Sequence, residues 1–299
     1  MRIRDTTIDD MAAIQKIRSE ASAWDAIPVE ALRVWFNADP PEARRLQICA
    51  TEPDGGLVGY GEVSLNLDVS GGTTATQGLL VATAARGNGV GSALNDRLDQ
   101  HLREIGATRV QTWVDQDSTA FAEHRGFELG ATDLFVVVDP RDLPPAPPFG
   151  PGVTIQAVRE TGPDPLYHVT DTAARDEPGD VPFEGMEYGR WLALYWPTID
   201  HDLSMIAYVD GEPAACTMLR ATYDNGRAES AGTDCLREFR GRGLAKLLKA
   251  VSLRAAAERG ITAAYTSNDE TNAPIRAINA WLGYQPVGVR RSALRSLPE

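Results

Sequence analysis

The sequence predicts an α+β protein of two tandem modules, each a mixed, mostly antiparallel sheet flanked by helices. A glycine-rich turn occurs twice, as RGNGVG from Arg86 and as RGRGLA from Arg240, 154 positions apart. The helical pattern after each turn ends on a glycine, Gly106 or Gly260, with the same 154-residue separation. This half-length repeat in a 299-residue chain indicates two copies of one domain. Solenoid repeats have shorter periods, of roughly 20–50 residues.

A proline-rich segment divides the chain between the two copies. Residues 140–151 read PRDLPPAPPFGP, and proline at this density does not fit a helix interior or a central strand. The segment favours a stiff, extended connector. The predicted organisation is therefore a module at 1–139, a linker at 140–151 and a module at 152–299. Each module is long enough to bury its own core.

The elements of each module follow one order. A short strand at 1–4 or 153–156 comes before helical segments. Apolar stretches between turn signals then predict three antiparallel strands in each copy. In the first copy they lie at 46–51, 57–67 and 73–81 and are separated by the turns 54–56 and 70–72. In the second copy they lie at 203–209, 211–219 and 229–236. Leucines spaced by three or four predict the helix after each glycine turn. A further strand follows at 109–114 or 262–266, and then a Gly-Phe or Gly-Tyr pair.

The composition excludes several functions. The net charge of −13 argues against a nucleic acid as the main partner, because phosphate binding needs a basic surface, and it permits a cationic substrate. No apolar run approaches the ~18 residues of a membrane span. A signal-peptide pattern is also missing, so we expect a cytoplasmic protein without a membrane partner. The cysteines form no CxxC pair and the histidines match no ligand spacing, so no metal is expected.

The repeated turn has the chemistry of an anion site. Each copy has the form Arg-x-x-Gly-x-Gly/Ala and lies between a strand and the start of a helix. Glycines let the backbone approach an anion, and the free N–H groups and positive dipole of the helix start bind it. The pattern indicates a pyrophosphate site. It is not a Walker loop, and Ser92 and Lys246 stand where a Rossmann fingerprint has its third glycine.

In this context the two turns resemble those of the GNAT superfamily of acyl-CoA-dependent N-acetyltransferases. The resemblance also rests on the pairs Gly126-Phe127 and Gly283-Tyr284 and on the block TDCLREFRGRGLAKLLK from Thr233. The segment TNAPIRAINAWLGY, which ends at Tyr284, is similar to the tandem, mycothiol synthase-like acetyltransferases of actinobacterial type. The resemblance covers nearly the whole chain and implies acetyl-CoA as the cofactor.

The resemblance also implies roles for particular residues. In this family the strand before the turn parts from its neighbour, and its exposed backbone binds the pantetheine arm of CoA. Thr233 and Cys235 match those positions in the second module, and Leu79 and Val81 match them in the first. The Thr233 amide is expected to polarise the thioester carbonyl. The other implied cofactor-binding residues are Asn272 and the two turns, Arg86, Gly87, Asn88, Gly89, Val90 and Gly91, and Arg240, Gly241, Arg242, Gly243, Leu244 and Ala245.

A general base must take a proton from the acceptor amine. Several family members carry a glutamate eleven residues before the turn arginine, a position held by Glu229 in the second module and by Ala75 in the first. A solvent-facing strand residue beside the Gly226 turn is the alternative interpretation of Glu229.

The expected general acid is missing. Family members often protonate the departing thiolate with a tyrosine four residues before the Gly-Phe pair, where this chain has Ala122 and Asn279. Asn279 is expected to hold a water or the sulfur by hydrogen bonding, and Tyr265 or Tyr284 could substitute as the acid. The first module, which matches neither base nor acid, is expected to be catalytically degenerate. Its intact turn leaves CoA binding there open.

Other candidates have simpler interpretations. Cys235 lacks a nearby histidine, so backbone pairing explains it better than nucleophilic catalysis. An acidic group around Pro178 could attract a cationic amine, although such runs are more often solvated loop. Its members are Asp171, Asp176, Glu177 and Asp180. Three aromatic residues could line an acceptor pocket, but packing against the sheet is the favoured interpretation. They are Trp191, Tyr195 and Trp196.

The sequence thus predicts direct transfer of acetyl from acetyl-CoA to the amine of a small molecule, at the second module, with Glu229, Thr233 and Asn279 as the catalytic residues. A protein or peptide acceptor and a non-catalytic acyl-CoA sensor or scaffold remain as alternatives. The variable helices, near 10–40 and 160–200, carry no motif that identifies the acceptor. A monomer and a homodimer are both compatible with the sequence.

Overall fold

The computed structural model describes residues 1–22, 24–69, 73–176 and 183–298. The chain forms two compact units. The first contains Met1–Asp25, Leu32–Asp133 and the chain from Val289 onward, and the second contains Ala26–Ala31 and Leu134–Gly288. The predicted α+β fold with two similar modules is confirmed. The last part of the chain, however, lies in the first unit.

The helices and strands follow the predicted order in both copies. From the N-terminus they are β1 (Arg2–Asp5), α1 (Met11–Ala21), α2 (Val29–Ala38), β2 (Leu46–Thr51), β3 (Leu57–Leu65), β4 (Thr74–Val81), α3 (Val90–Glu104), β5 (Arg109–Asp115), α4 (Thr119–His124) and β6 (Glu128–Val138). The second copy contains β7 (Val153–Ala157), α5 (Val158–Thr161), α6 (Pro163–Ala174), α7 (Tyr188–Leu194), β8 (Met205–Val209), β9 (Glu212–Thr222), β10 (Arg227–Cys235), α8 (Leu244–Glu258), β11 (Ala263–Asp269), α9 (Ala273–Leu282) and β12 (Gln285–Ser296). The predicted turn at 70–72 lies outside the described residues.

The sheet of the first unit has the strand order β1-β2-β3-β4-β5-β12. Neighbouring strands from β1 to β4 are antiparallel, and β4 and β5 are parallel. The final strand, β12, runs antiparallel to β5, from the pair Arg290 and Asp115 to the pair Ser296 and Arg109. The C-terminal strand therefore completes the sheet of the first unit.

The sheet of the second unit has the order β6-β11-β10-β9-β8-β7. The strands from β7 to β10 are antiparallel, and β10 and β11 are parallel. The linker at 140–151 contains neither helix nor strand. It is attached to this unit through Leu143 and Ala146, which pack on a core cluster around Leu282, and through an Arg254 hydrogen bond to the Pro144 carbonyl.

Helices cover both faces of the second sheet. Successive residues of a strand point to opposite faces. Met205 and Ala207 pack with Leu248 of α8, while Ile206 between them packs in a cluster with Leu166 of α6 and Trp191 of α7. The strand β10 thus lies in a sheet that separates α8 from α6 and α7.

Candidate active site

The two parallel strands of each unit part from one another before they end. The β10–β11 ladder has three residue pairs and stops at Glu229 and Tyr265, although β10 continues to Cys235. In the first unit the β4–β5 ladder stops at Gln77 and Thr112, while β4 continues to Val81. The ends of β4 and β10 thus pair on one edge only, which leaves backbone groups available to a ligand. Strand divergence is what the resemblance implies at these positions.

Only the second unit has a β-bulge at the point of divergence, within the described strands β4 and β10. The β9–β10 register shifts between Ser230 and Gly232, so Ala231 is the extra residue. The β3–β4 register runs without a shift from the pair Leu65 and Ala75 onward. Bulges bend a strand and re-aim its side chains, and they are frequent next to active sites.

The bulge corrects one comparison made from the sequence, the pairing of Glu229 with Ala75. Ala228 of β10 forms the second residue pair with β11, and Ala75 of β4 forms the second residue pair with β5. Both alanines are fully buried, so the two positions are equivalent. The residue that corresponds to Glu229 is therefore Thr76. A count of eleven residues back from Arg240 includes the inserted Ala231. The same count from Arg86 crosses no inserted residue, so it reaches Ala75, one residue too far. The contrast between the units persists, since threonine is not a base at neutral pH.

Glu229 lies on the last pair of the β10–β11 ladder, directly before the strands diverge. Its Oε2 accepts a hydrogen bond from Nη1 of Arg220 at 3.4 Å, and its side chain is 26% exposed. Arg220 is the β9 residue opposite Glu229, is itself buried, and donates through Nε to Thr198. The guanidinium of Arg220 therefore positions the Glu229 carboxylate at the end of the ladder. Sequence reasoning missed Arg220, which only the β9–β10 register identifies.

Thr233 and Cys235 lie on the part of β10 that has left β11. The Thr233 hydroxyl is 3.0 Å from that of Thr217 on β9, so this side chain is held against the neighbouring strand. Cys235 hydrogen-bonds the carbonyl of Leu236, and burial raises the pKa of its thiol. A raised thiol pKa is the opposite of what a nucleophilic cysteine needs.

The two glycine turns have the same geometry. The glycines of each turn have positive φ, 77° and 79° at Gly87 and Gly89 and 78° and 81° at Gly241 and Gly243. A side chain at any of these would be strained and would project into open space, since nothing lies within 4 Å of the added carbon. The open space and free backbone fit the close approach of a pyrophosphate.

Each turn is fastened to the strand before it. The Arg240 Nε donates to the Cys235 carbonyl at 3.0 Å, and the Arg86 Nε donates to the Val81 carbonyl at 3.4 Å. The turns lead into helices of 15 residues, α8 and α3, and in neither helix does the N-cap residue bond the first N–H groups with a side chain. The two turns thus share the backbone geometry that the resemblance implies for a pyrophosphate site.

Asn279 is buried on α9 beside the diverging strand β11. Its Nδ2 donates to Oδ1 of Asn268, and its own Oδ1 is buried without a hydrogen-bond partner among the described residues. An orphaned buried acceptor fits a ligand donor such as a thiol or an amide N–H. The Asn272 side chain caps the N-terminus of α9 by accepting a hydrogen bond from the Ile275 N–H.

The described part of the acidic group around Pro178 is ion-paired. Asp176 binds Arg237 and the turn residue Arg240, the latter at 2.9 Å, and these pairs lower the pKa of its carboxyl. Asp171 binds Arg175 and the Met186 N–H. Glu177, Pro178 and Asp180 lie outside the described residues. The paired carboxylates position local structure, and Asp176 connects α6 to the cofactor turn.

The aromatic residues of α7 and of the segment directly after it pack in the core cluster on one face of the second sheet, as expected. Trp191 is buried in the core, stacks on Tyr195 and meets Tyr167 of α6 edge to face. Trp196 stacks on His201, whose Nε2 bonds the Trp196 carbonyl. Among the described residues, no group of three or more histidine, cysteine or acidic side chains could hold a metal ion. In the same part of the chain, no helix is long and apolar enough to cross a membrane.

Comparisons with known proteins agree with this geometry. The model of the acetyltransferase (GNAT) family matches residues 11–127 and 166–284. A tandem GNAT protein from the clavulanic acid biosynthesis pathway is 21% identical over 100% of this chain and 99% of its own, with a TM-score of 0.73. A GCN5-related N-acetyltransferase from Sphaerobacter thermophilus is 19% identical over 99% of this chain and 95% of its own, with a TM-score of 0.71. No curated protein matches the chain.

Proposed function

Because the chain belongs to the GNAT acetyltransferase family and uses acetyl-CoA, we propose that it transfers acetyl directly to the amine of a small molecule, in a ternary complex at the second unit. Bound acetyl-CoA supplies an activated acyl group. The glycine turn from Arg240 to Ala245 holds its pyrophosphate, and the open edge of β10 holds its pantetheine arm. The Thr233 amide polarises the thioester carbonyl.

One observation carries the assignment to the second unit, the position of Glu229. Its carboxylate stands at the last pair before β10 and β11 diverge, next to a bulge, and is hydrogen-bonded to Arg220. In this role Glu229 accepts the proton of the acceptor amine, directly or through water. The corresponding residue of the first unit is Thr76, which cannot do this.

The first unit is proposed to bind cofactor without catalysis. Its turn has the same backbone geometry, and β4 parts from β5 as β10 parts from β11. At the position of Asn279, however, it has the buried side chain of Ala122, which offers no polar atom. A unit with the cofactor turn and without base or donor fits a supporting or regulatory role.

The cover of β10 supports a small acceptor. The helix α6 packs over β9 and β10 on the face that includes Asp234, and its aromatic neighbours fill the space beside it. We take this cover to favour a small acceptor over an extended peptide. The net charge of −13 and the carboxylates of Glu229 and Asp234 favour an amine that is cationic before it loses its proton.

The proposal is tested by acetyl-CoA-dependent thiol release from a panel of aminoglycosides, polyamines, amino acids and amino sugars. Mass spectrometry of each product checks for N-acetylation, and a parallel reaction offers lysate proteins as acceptors. The proposal expects at least one small amine to be acetylated with matching thiol release. Acetylation confined to lysate proteins would contradict the acceptor class, and CoA binding with no transfer to any acceptor would favour a sensor.

A further inference from the structure

Lys249 is a buried lysine without a counter-charge. It lies on α8, and 2% of its surface is exposed. Among the described residues its recorded contact is with the ring of Tyr284, whose centroid is 5.3 Å from Nζ, and no carboxylate pairs with it. A buried ammonium group without a partner destabilises a fold. A structural role therefore does not explain this residue.

The other unit shows what the same position does when it is structural. Lys249 corresponds to Asn95 of α3, which accepts a hydrogen bond from Gln77 of β4 and donates one to Asp99. Gln77 is the last β4 residue paired with β5, so Asn95 faces the point where the strands diverge. In the second unit Leu253 replaces Asp99. The equivalent helix position thus carries the amine of Lys249 in place of the hydrogen-bonded amide of Asn95.

Lys249 accordingly faces the start of the divergent part of β10. The β10 residue that corresponds to Gln77 is Ser230, which lies directly before the bulge. Two buried polar atoms near Lys249, Asn279 Oδ1 and Tyr284 Oη, have no hydrogen-bond partner in the part of the chain that the structure describes. The Tyr284 N–H bonds the Asn279 carbonyl at 3.1 Å, which keeps these two residues adjacent. Lys249 and these two atoms thus lie together beside the strand divergence proposed to hold the thioester.

We propose that Lys249 donates the proton needed by the CoA sulfur as the C–S bond breaks, an inference that rests on the proposed function. The acceptor nitrogen forms the new C–N bond, and the electron pair of the C–S bond goes to sulfur. The proton passes from Lys249 Nζ to that sulfur, while Glu229 holds the proton lost by the amine. Exchange with solvent then restores both residues.

The ionisation of the surrounding groups suits this role. Burial lowers the pKa of Lys249 to about 7, which is near the operating pH that favours proton transfer. Tyr284, the residue before β12, is also buried, and burial raises the pKa of its phenol, so it stays neutral. Lys246 on the same helix stacks on Trp281 of α9, and Ser230 and Asn279 carry no charge. Within the described ranges, no carboxylate contributes to the pKa of Lys249, and burial alone lowers it.

The test compares Lys249→Met with Lys246→Met, a control that removes a charge one turn earlier on the same helix. The thiol of bound CoA is titrated by the ultraviolet absorbance of its thiolate. Because burial lowers the pKa of Lys249 to about 7, the pair formed by Lys249 and the bound thiol should lose its first proton near that pH and share the remaining proton between Nζ and sulfur. Some thiolate absorbance should therefore appear in the wild type from about pH 7 upward, at a lower pH than in Lys249→Met. Lys246→Met should behave as the wild type. Turnover by Lys249→Met should fall about 100-fold with KM little changed.

Each outcome decides a separate point. Equal thiol titration in wild type and Lys249→Met, with CoA bound to both by calorimetry, would overturn the proton donor and leave the proposed function intact. No CoA binding to the wild type would overturn both. Thermal melts of the variants check the fold, which is expected to survive because methionine fits the volume of the lysine stem and removes a buried charge.

Discussion

Replacing Glu229 by glutamine removes the proposed base and little else. Glutamine has the size of glutamate and can still accept the hydrogen bond from Arg220, but it cannot take up a proton. Catalysis should therefore fall while the fold and cofactor binding persist. The variant separates the catalytic interpretation of Glu229 from that of a solvent-facing strand residue.

The two expected effects differ in size. Loss of a general base lowers kcat by about 10²–10⁴-fold. At about 1.36 kcal/mol per tenfold, this raises the barrier by roughly 3–5 kcal/mol. The ion pair of Glu229 with Arg220 is long, 3.4 Å, and the glutamate is 26% exposed. Its loss should therefore cost less than about 2 kcal/mol of unfolding free energy.

The assay is thiol release with a saturating amine across the pH range, beside urea denaturation of the same proteins. Thr76→Gln is the matched control, because Thr76 occupies the position of Glu229 in the first unit, and it should leave kcat unchanged. Unchanged turnover by Glu229→Gln at every pH would refute the base assignment. A loss of stability large enough to account for the lost activity would refute the separation of the two effects.

Three further predictions concern other parts of the second unit. Asp176→Asn should tighten acetyl-CoA binding by about 2–5-fold in calorimetry, because it frees Arg237 and Arg240 for the pyrophosphate; weaker binding would contradict this. Leu248→Ala should lower the unfolding free energy by about 2–5 kcal/mol in urea, because this α8 side chain is fully buried; a loss below 1 kcal/mol, roughly, would mean that the site is loosely packed. Burial lowers the pKa of Lys249 from 10.5 to about 7, so between these pH values the unfolded chain binds one proton more than the folded chain and stability should rise with pH. Lys249→Met should lose this rise in melting experiments. An identical rise in both proteins would contradict the prediction.

Much of the fold follows from local patterns in the sequence. Alternating apolar residues located the three central strands of each unit, and the spacing of leucines such as Leu94, Leu98 and Leu102 located the helices. The glycines of the turns needed no tertiary information, because a positive φ is a property of the residue itself. The repeat then linked these elements into two similar modules.

The remaining features depend on contacts between distant segments. The bulge at Ala231 is defined by register with β9, and a strand with one inserted residue still reads as apolar alternation. This is why Ala75 was compared with Glu229. The pairing of β12 with β5 likewise depends on which open strand edge the C-terminus meets. Lys249 reads as a polar position on a helix, and only the folded chain shows that it is buried.

The central claim is that acetyl transfer takes place in the second unit, with cofactor held by the turn that begins at Arg240. The most direct measurement compares Gly243→Glu with Gly89→Glu, which place the same bulk and charge in the two equivalent turns. Both are assayed for transfer to the active amine and for CoA binding by calorimetry. The account predicts that Gly243→Glu abolishes transfer and that Gly89→Glu retains it. Transfer that survives Gly243→Glu and is lost in Gly89→Glu would contradict it.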